Sequence, residues 1–105
     1  MEFRLVTQTR FFIRKIYNIK YPKEEKFNLE SQIKRASISI ALNLAEGNLY
    51  KDKNTKKFFN IAKGSASEVK ECLILLNELH NIQVLNLIED CDSIIKQVQT
   101  LTSKL

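Results

Sequence analysis

The chain has 105 residues, of which 44% are hydrophobic, and its formal net charge is +5 at pH 7. Only two glycines and one proline occur, which is few for the tight turns of a sheet protein but enough for a few long helices. No run reaches the roughly 18 to 20 apolar residues of a membrane span, and Glu2, Arg4 and Arg10 interrupt any signal-peptide core. We therefore expect one cytoplasmic, all-α domain over residues 1–105 with no membrane association.

The first predicted helix spans residues 3–20. Its apolar side chains recur at the spacing of one helical face, and they are Leu5, Val6, Phe12, Ile13, Ile16 and Ile19. The helix must end before Pro22, because a proline pushes the preceding residue out of the α region. The polar run 23–26 predicts a loop, and Asn28 is a candidate N-cap for the next helix.

The second predicted helix spans residues 29–46. We expect it to stop at Gly47, because a glycine adopts the left-handed conformation without a Cβ penalty. Its interior, residues 36–45, is apolar or small on every side, as expected of a helix surrounded by others. Ser37, Ala41 and Ala45 form a stripe of small residues along which a neighbouring backbone can approach closely.

The third and fourth predicted helices span residues 54–80 and 84–104. In the third, steps of four and three predict a buried seam made of Phe58, Ala62, Ser65, Val69, Cys72, Leu76 and Leu79. The corresponding seam of the fourth is Val84, Ile88, Cys91, Ile95, Val98 and Leu105. Because short connections make neighbouring helices antiparallel, the pattern predicts an up-down four-helix bundle.

Two features of the sequence provide more apolar side chains than the core of one four-helix bundle can bury. Residues 73–76 are four successive apolar side chains, more than one core-facing stripe can bury. The second helix is apolar on every side. Together these features predict a homo-oligomer, and the alternative is a monomer with an apolar surface patch.

The sequence contains no arrangement typical of an enzyme. His80 is the only histidine, and we expect it to be solvated in a polar turn. Cys72 and Cys91 lack the Cys-x-x-Cys spacing of metal and redox sites, so we expect buried, reduced thiols. Since phosphate loops and nucleophile elbows are also missing, we predict no catalytic residue, no cofactor and no metal.

Charge divides the chain unevenly. Residues 1–63 hold 14 Lys and Arg against 6 Asp and Glu, whereas residues 64–105 hold 3 against 6. An up-down bundle would gather Arg4, Lys104 and the lysines of the second turn at one end. Candidate contacts to nucleic-acid phosphates are Arg4, Arg10, Arg14, Lys51, Lys53, Lys56 and Lys57. An ordinary solvated turn is the alternative for the lysines.

Spaced motifs in the second and third helices resemble those of a known family. They read Gln-x-x-Arg-Ala, Ser-Ile, Asn-x-Ala-Glu-Gly, then Phe, Ile-Ala and Gly-Ser. They fall on Gln32, Arg35, Ala36, Ser39, Ile40, Asn43, Ala45, Glu46, Gly47, Phe58, Ile61, Ala62, Gly64 and Ser65. In this order they resemble the bacterial four-helix-bundle proteins encoded within 23S rRNA intervening sequences.

This resemblance implies a four-helix protomer and a ring-like assembly. Related accessory proteins of diversity-generating retroelements are pentameric barrels that bind nucleic acid and a reverse transcriptase, so the resemblance implies a homo-oligomer, a pentamer.

The motif residues have a structural interpretation of their own. A mid-helix glycine costs about 1 kcal/mol relative to alanine, so we expect Gly64, with Ser65, to pack closely against the small-residue stripe. Asn43 and Glu46 lie one turn apart, where they can cap the helix or bridge to its neighbour. We also assign a structural role to Gln32, Arg35 and Gly47.

Two functional hypotheses follow. The first is a non-enzymatic, oligomeric protein that binds structured RNA or DNA through basic clusters with little base specificity. The second is an adaptor subunit that binds a partner enzyme, such as a reverse transcriptase, through Leu49 and Tyr50 on the second turn. Rising salt weakens phosphate-driven binding steeply and an apolar protein interface only slightly, so salt distinguishes them.

Overall fold

The structure is a computed structural model that describes residues 3–50 and 53–105. Within these ranges there are four α-helices, one short 3-10 helix and no strand. The α-helices are α1 (Arg4–Tyr17), α2 (Leu29–Gly47), α3 (Lys53–His80) and α4 (Leu85–Thr102), and the 3-10 helix is Lys23–Glu25. The prediction of an all-α protein with four helices is confirmed, and none of the described helices is long and apolar enough to cross a membrane.

One continuous core lies between the helices. Each helix supplies aliphatic side chains that are fully shielded from solvent, and each such burial stabilises the fold by about 1.5–3 kcal/mol. The largest of them are Ile16, Ile33, Ile40, Leu44, Val69, Leu73, Leu76, Ile94 and Val98. Four helices around one core are the arrangement expected of a four-helix bundle.

The segment between α1 and α2 is more ordered than the predicted loop. Its 3-10 helix buries Glu25, and the Glu25 Oε1 accepts a hydrogen bond from the Leu29 N–H at 3.3 Å. Asn28 occupies the N-cap position of α2, but its side chain makes no capping hydrogen bond. The predicted N-cap position of Asn28 is therefore confirmed, but it is Glu25 that satisfies the first backbone donor of α2.

The predicted seam of α3 is displaced by one residue at three positions. Phe59, Ala66 and Leu73 are buried, while the predicted Phe58, Ser65 and Cys72 are half-buried and Leu79 is 64% exposed. On α4 the buried residues are Leu87, Cys91, Ile94 and Val98, while the predicted Leu105 is exposed. Adjacent apolar residues on one helix fit the same spacing, so the spacing alone did not decide between them.

Polar side chains fix how α1 lies against α4. The Gln97 amide donates a hydrogen bond to Gln8 Oε1 at 3.0 Å, and the Lys15 ammonium lies 3.2 Å from the Asp90 carboxylate. Gln8 precedes Lys15 on α1, whereas its partner Gln97 follows Asp90 on α4.

Gly47 packs closely against α3. A Cβ atom at this position would lie 2.8 Å from the buried ring of Phe59 and 3.1 Å from Phe58 Cβ. Gly47 is the last residue of α2, and its φ is not positive. The expectation of a left-handed Gly47 is therefore wrong, because the position requires a small residue and no special backbone conformation.

Gly64 lies in the middle of α3 on an exposed surface. A Cβ atom there would meet no atom within 4 Å. The expected packing of Gly64 against the small-residue stripe is wrong, since the stripe reaches the core at Ser37 while Ala45 is exposed. Nothing in the structure explains a glycine at position 64.

The two glycines give a matched pair of substitutions. We expect Gly64→Ala to stabilise the protein by about 0.5–1 kcal/mol, because alanine is the better helix former and no neighbour resists it. We expect Gly47→Ala to destabilise it by about 1–2 kcal/mol, because the buried Phe59 ring must move. Urea unfolding of both variants measures the two free energies, and two changes of the same sign would contradict the assignment of Gly47.

Candidate nucleic-acid interface

The charged side chains of α1 are all basic. The helix carries Arg4, Arg10, Arg14 and Lys15 and no acidic residue. All three arginines are exposed. Arg10 and Arg14 lie one turn apart on the helix, while Arg4 lines two adjacent cavities between α1 and α4.

A second group of cations begins α3. Lys53, Lys56 and Lys57 are exposed, and the Lys57 ammonium lies 5.7 Å from the centre of the Phe58 ring. No acidic residue occurs in the first turn of α3. Lys51, which belongs to the same predicted cluster, lies outside the described residues.

An aromatic contact brings these two groups to the same end of the molecule. The Phe3 ring stacks on the Phe59 ring, with centroids 6.0 Å apart and an interplanar angle of 23°. Arg4 follows Phe3, and Lys56 precedes Phe59 by less than one helical turn. Arg14 lies ten residues beyond Arg4 on α1, about 15 Å away along the helix axis. Arg4 and the α3 lysines therefore form one cluster, and Arg10 and Arg14 extend it along α1.

Several lysines outside the candidate set form ion pairs. Within the part of the chain that the structure describes, the lysines in ion pairs are Lys15 with Asp90, Lys34 with Glu30 and Lys70 with Asp92. The described ion pairs include none of the following candidate residues: Arg4, Arg14, Lys53, Lys56 and Lys57. Among the residues that the structure describes, no carboxylate is paired with these five cations, so their positive potential is available to an anion.

The polar motif residues of α2 connect it to α3. Ser39 and Ser65 share a hydrogen bond of 2.8 Å between their hydroxyl groups, and the Asn43 amide donates to the Ser39 carbonyl and hydroxyl at 2.8 and 3.1 Å. Asn43 thus reaches the neighbouring helix through Ser39. Such a chain of half-buried polar contacts helps to fix the register of the two helices.

Three other motif residues make local contacts. The Glu46 carboxylate accepts a hydrogen bond from the Tyr50 hydroxyl at 3.3 Å. Arg35 donates to the Gln32 side chain at 2.6 Å on the exposed surface of α2. These contacts lie within a turn or two of one helix and involve no residue of the basic cluster.

His80 is not the solvated residue that we expected. Its Nε2 lies 2.7 Å from the Glu25 carboxylate, and both side chains are largely buried. The hydrogen bond to His80, together with the bond from the Leu29 N–H, lowers the pKa of Glu25 below its ordinary value of 4.5, against the opposing effect of burial. The two residues are separated by 55 positions, so no local sequence signal marks the pair.

The cysteines are free thiols of different exposure. Cys91 is fully buried, and Cys72 is half-buried. Burial, with the nearby Asp92 and Asp90 charges, raises the pKa of Cys91 to about 12. Its thiol stays protonated at neutral pH and is a poor nucleophile. Among the described residues, no group of three or more His, Cys, Asp and Glu side chains is placed to hold a metal ion.

The fold and the surface define a class: a small all-α protein with four helices, a closed core and a basic end. Comparison with protein families then identifies it, because the chain belongs to the 23S rRNA-intervening sequence protein family, whose model matches residues 1–103. The resemblance in the helix motifs is thereby confirmed. A search of curated proteins gives no match.

The pair of Glu25 and His80 makes a prediction about stability and pH. Because the pKa of Glu25 is lowered in the folded protein, its ionised form stabilises the fold at neutral pH, and this contribution is lost as the pH falls below about 4.5 and through the folded-state pKa. We expect Glu25→Gln to lower the midpoint of thermal unfolding at pH 7, with a difference from the wild type that narrows in acid. Glu24→Gln, at an exposed neighbouring position, is the matched control. A difference independent of pH would show that the charge of Glu25 is not what stabilises the fold.

Proposed function

We propose that this protein is a non-enzymatic, cytoplasmic nucleic-acid-binding protein that contacts phosphates through the cations of α1 and of the first turns of α3. The observation that carries the proposal is the exposed set without a described ion pair, Arg4, Arg14, Lys53, Lys56 and Lys57. Exposed cations that no carboxylate neutralises are the usual electrostatic footprint of a nucleic-acid-binding surface. The target is structured RNA or DNA.

The geometry of the cluster favours contact with the phosphate backbone of the nucleic acid over contact with base edges in its grooves. The cations come from two helices that meet at one end of the molecule, so that they extend across a surface. Lysine and arginine on such a surface neutralise phosphates and displace condensed counterions, which supplies affinity with little sequence preference.

The assembly that we propose is an antiparallel bundle in a homo-oligomeric, pentameric ring. The opposite order of the pairs Gln8–Gln97 and Lys15–Asp90 supports the antiparallel arrangement of α1 and α4. Oligomerisation is supported by large apolar side chains left exposed on α2 and α3, which are Ile38, Leu42, Ile61, Leu75 and Leu79. Five subunits follow from the family resemblance. A ring would repeat the cationic cluster and strengthen its field.

A second candidate function is an adaptor that binds a partner enzyme such as a reverse transcriptase. The observation in its favour is Leu49, which is 74% exposed at the end of α2. Tyr50 contributes less to such a surface, because its ring stacks on Phe58 at 5.8 Å and its hydroxyl bonds to Glu46. An apolar contact of this kind would be insensitive to salt.

Charge reversal tests the nucleic-acid proposal. We expect the triple substitution Lys53→Glu, Lys56→Glu and Lys57→Glu to weaken binding to a mixed-sequence RNA. The log–log dependence of affinity on salt should become shallower by about 0.7–0.9 for each phosphate that the variant no longer neutralises. Fluorescence anisotropy at several salt concentrations measures both quantities, and light scattering of the same samples gives the oligomeric state.

The matched control reverses three exposed cations of the loop between α1 and α2: Lys20, Lys23 and Lys26. This change alters net charge by the same amount at a different place. An equal decrease in affinity in both triple variants would indicate attraction by net charge alone and would contradict a localised site. Wild-type protein that binds no RNA even at low salt would reject the proposal.

A further inference from the structure

Aromatic side chains accompany the arginines on the exposed surface of α1. Phe11 is 57% exposed, and the Arg14 guanidinium lies 5.2 Å from the centre of its ring. Phe12 beside it is 2% exposed and belongs to the core. Besides its cations, this surface of α1 therefore presents the flat aromatic ring of Phe11, which is not packed in the core.

Phe11 forms part of the wall of a cavity of about 330 Å³ between α1 and α4. Phe12 and Ile94 supply further apolar wall, while Thr7 and Gln8 supply polar groups. Arg4, Lys15 and Asp90 also line it. A mostly apolar cavity with a few polar groups at its margin is the usual composition of a ligand site.

The polar margin provides both donors and acceptors. The Lys15 ammonium donates, the Asp90 carboxylate at 3.2 Å from it accepts, and the Thr7 hydroxyl does both. A ligand that fits therefore has a flat apolar face, an edge with mixed hydrogen-bonding groups, and negative charge near the arginines. A nucleotide with an unpaired base combines these three properties.

A second cavity of about 350 Å³ lies beside the first, across the Gln8–Gln97 hydrogen bond. It is lined by Phe3, Leu5, Lys96 and Leu101, and Arg4 lines both cavities. The second cavity therefore repeats the combination of an aromatic ring with cations. We call the two cavities together the α1/α4 groove. A strand that occupies both cavities would pass Arg4, which favours a polymer over a single free nucleotide.

From this arrangement we infer that the α1/α4 groove binds an unpaired segment of the nucleic acid, a single strand or a loop, with one base stacked on Phe11 and flanking phosphates at Arg4 and Arg14. The inference rests on the proposed nucleic-acid binding and specifies its target. Bases inside a duplex are already stacked and paired, so they cannot reach the Phe11 ring, whereas bases of single strands and loops are free to do so.

Substitution of Phe11 tests this inference with two RNA probes: a single-stranded oligoadenylate carrying a fluorescent base analogue and a blunt-ended RNA duplex. We expect Phe11→Leu, which keeps an apolar side chain but removes the aromatic face, to weaken single-strand binding about 5- to 100-fold. Duplex affinity should change less than twofold. Phe11→Tyr should restore single-strand affinity and the fluorescence change of the stacked base.

Phe27→Leu is the matched control, because Phe27 is 87% exposed beside Lys26 in the loop between α1 and α2, outside the groove. Circular dichroism melts of each variant show whether the fold is retained. Because Phe11 is exposed, its substitution should leave the midpoint of thermal unfolding almost unchanged.

The outcomes separate this inference from the broader proposal. Salt-dependent RNA binding that is the same in Phe11→Leu and wild type would overturn the stacking site and leave the phosphate surface standing. Wild-type protein that binds neither RNA would overturn both. Phe11-dependent binding of a short helical peptide with leucine on one face and glutamate on the other, with RNA binding unaffected by Phe11, would assign the groove to a protein partner.

Discussion

The close packing of α2 on α3 is the constraint on which the rest of the structure depends. It requires the missing side chain of Gly47, because the ring of Phe59 occupies the space that a Cβ atom would take. The hydroxyl pair of Ser39 and Ser65 fixes the same two helices farther along. Phe59, held in this position, then stacks on Phe3 and so places the first turn of α1 next to the first turns of α3. The cationic cluster thus follows from a packing contact that contains no charge.

The helices themselves could be predicted from the sequence, because periodic apolar residues and a proline suffice to define them. Which of two adjacent residues is buried could not be predicted in this way. Phe58 and Phe59 are adjacent and alike, and it is the Phe59 ring that packs against Gly47 of the facing helix and is buried. The same ambiguity affected Ser65 and Ala66, where a hydroxyl that bonds to Ser39 lies at the margin of the core. Which residue is buried at these positions depends on how the neighbouring helices pack, and a single sequence does not specify that packing.

For the candidate surface, the exposure of single charged residues could be predicted from the sequence, whereas contacts between distant residues could not. Cations stay exposed in almost any packing, so charge alone predicted that Arg4, Lys53, Lys56 and Lys57 lie on the surface. The pair of Glu25 and His80 was missed because its members come from opposite parts of the chain. Phe11 and Phe12 are consecutive aromatic residues, and only the packed helix shows that one belongs to the core and the other to the surface.

The placement of Arg4 has a consequence for the energetics of the helix that carries it. The backbone dipoles of a helix sum to a partial positive charge at its amino-terminal end, where acidic side chains stabilise and basic ones oppose helix formation. α1 begins with Arg4, and its first turn contains no acidic residue. The first turn of α1 is therefore electrostatically unfavourable in the free protein. An anion bound beside it would relieve that repulsion, so ligand affinity and the resistance of this helix end to fraying are thermodynamically linked. Under the proposed function, this end of α1 would be less stable in the free protein than in its complex with nucleic acid.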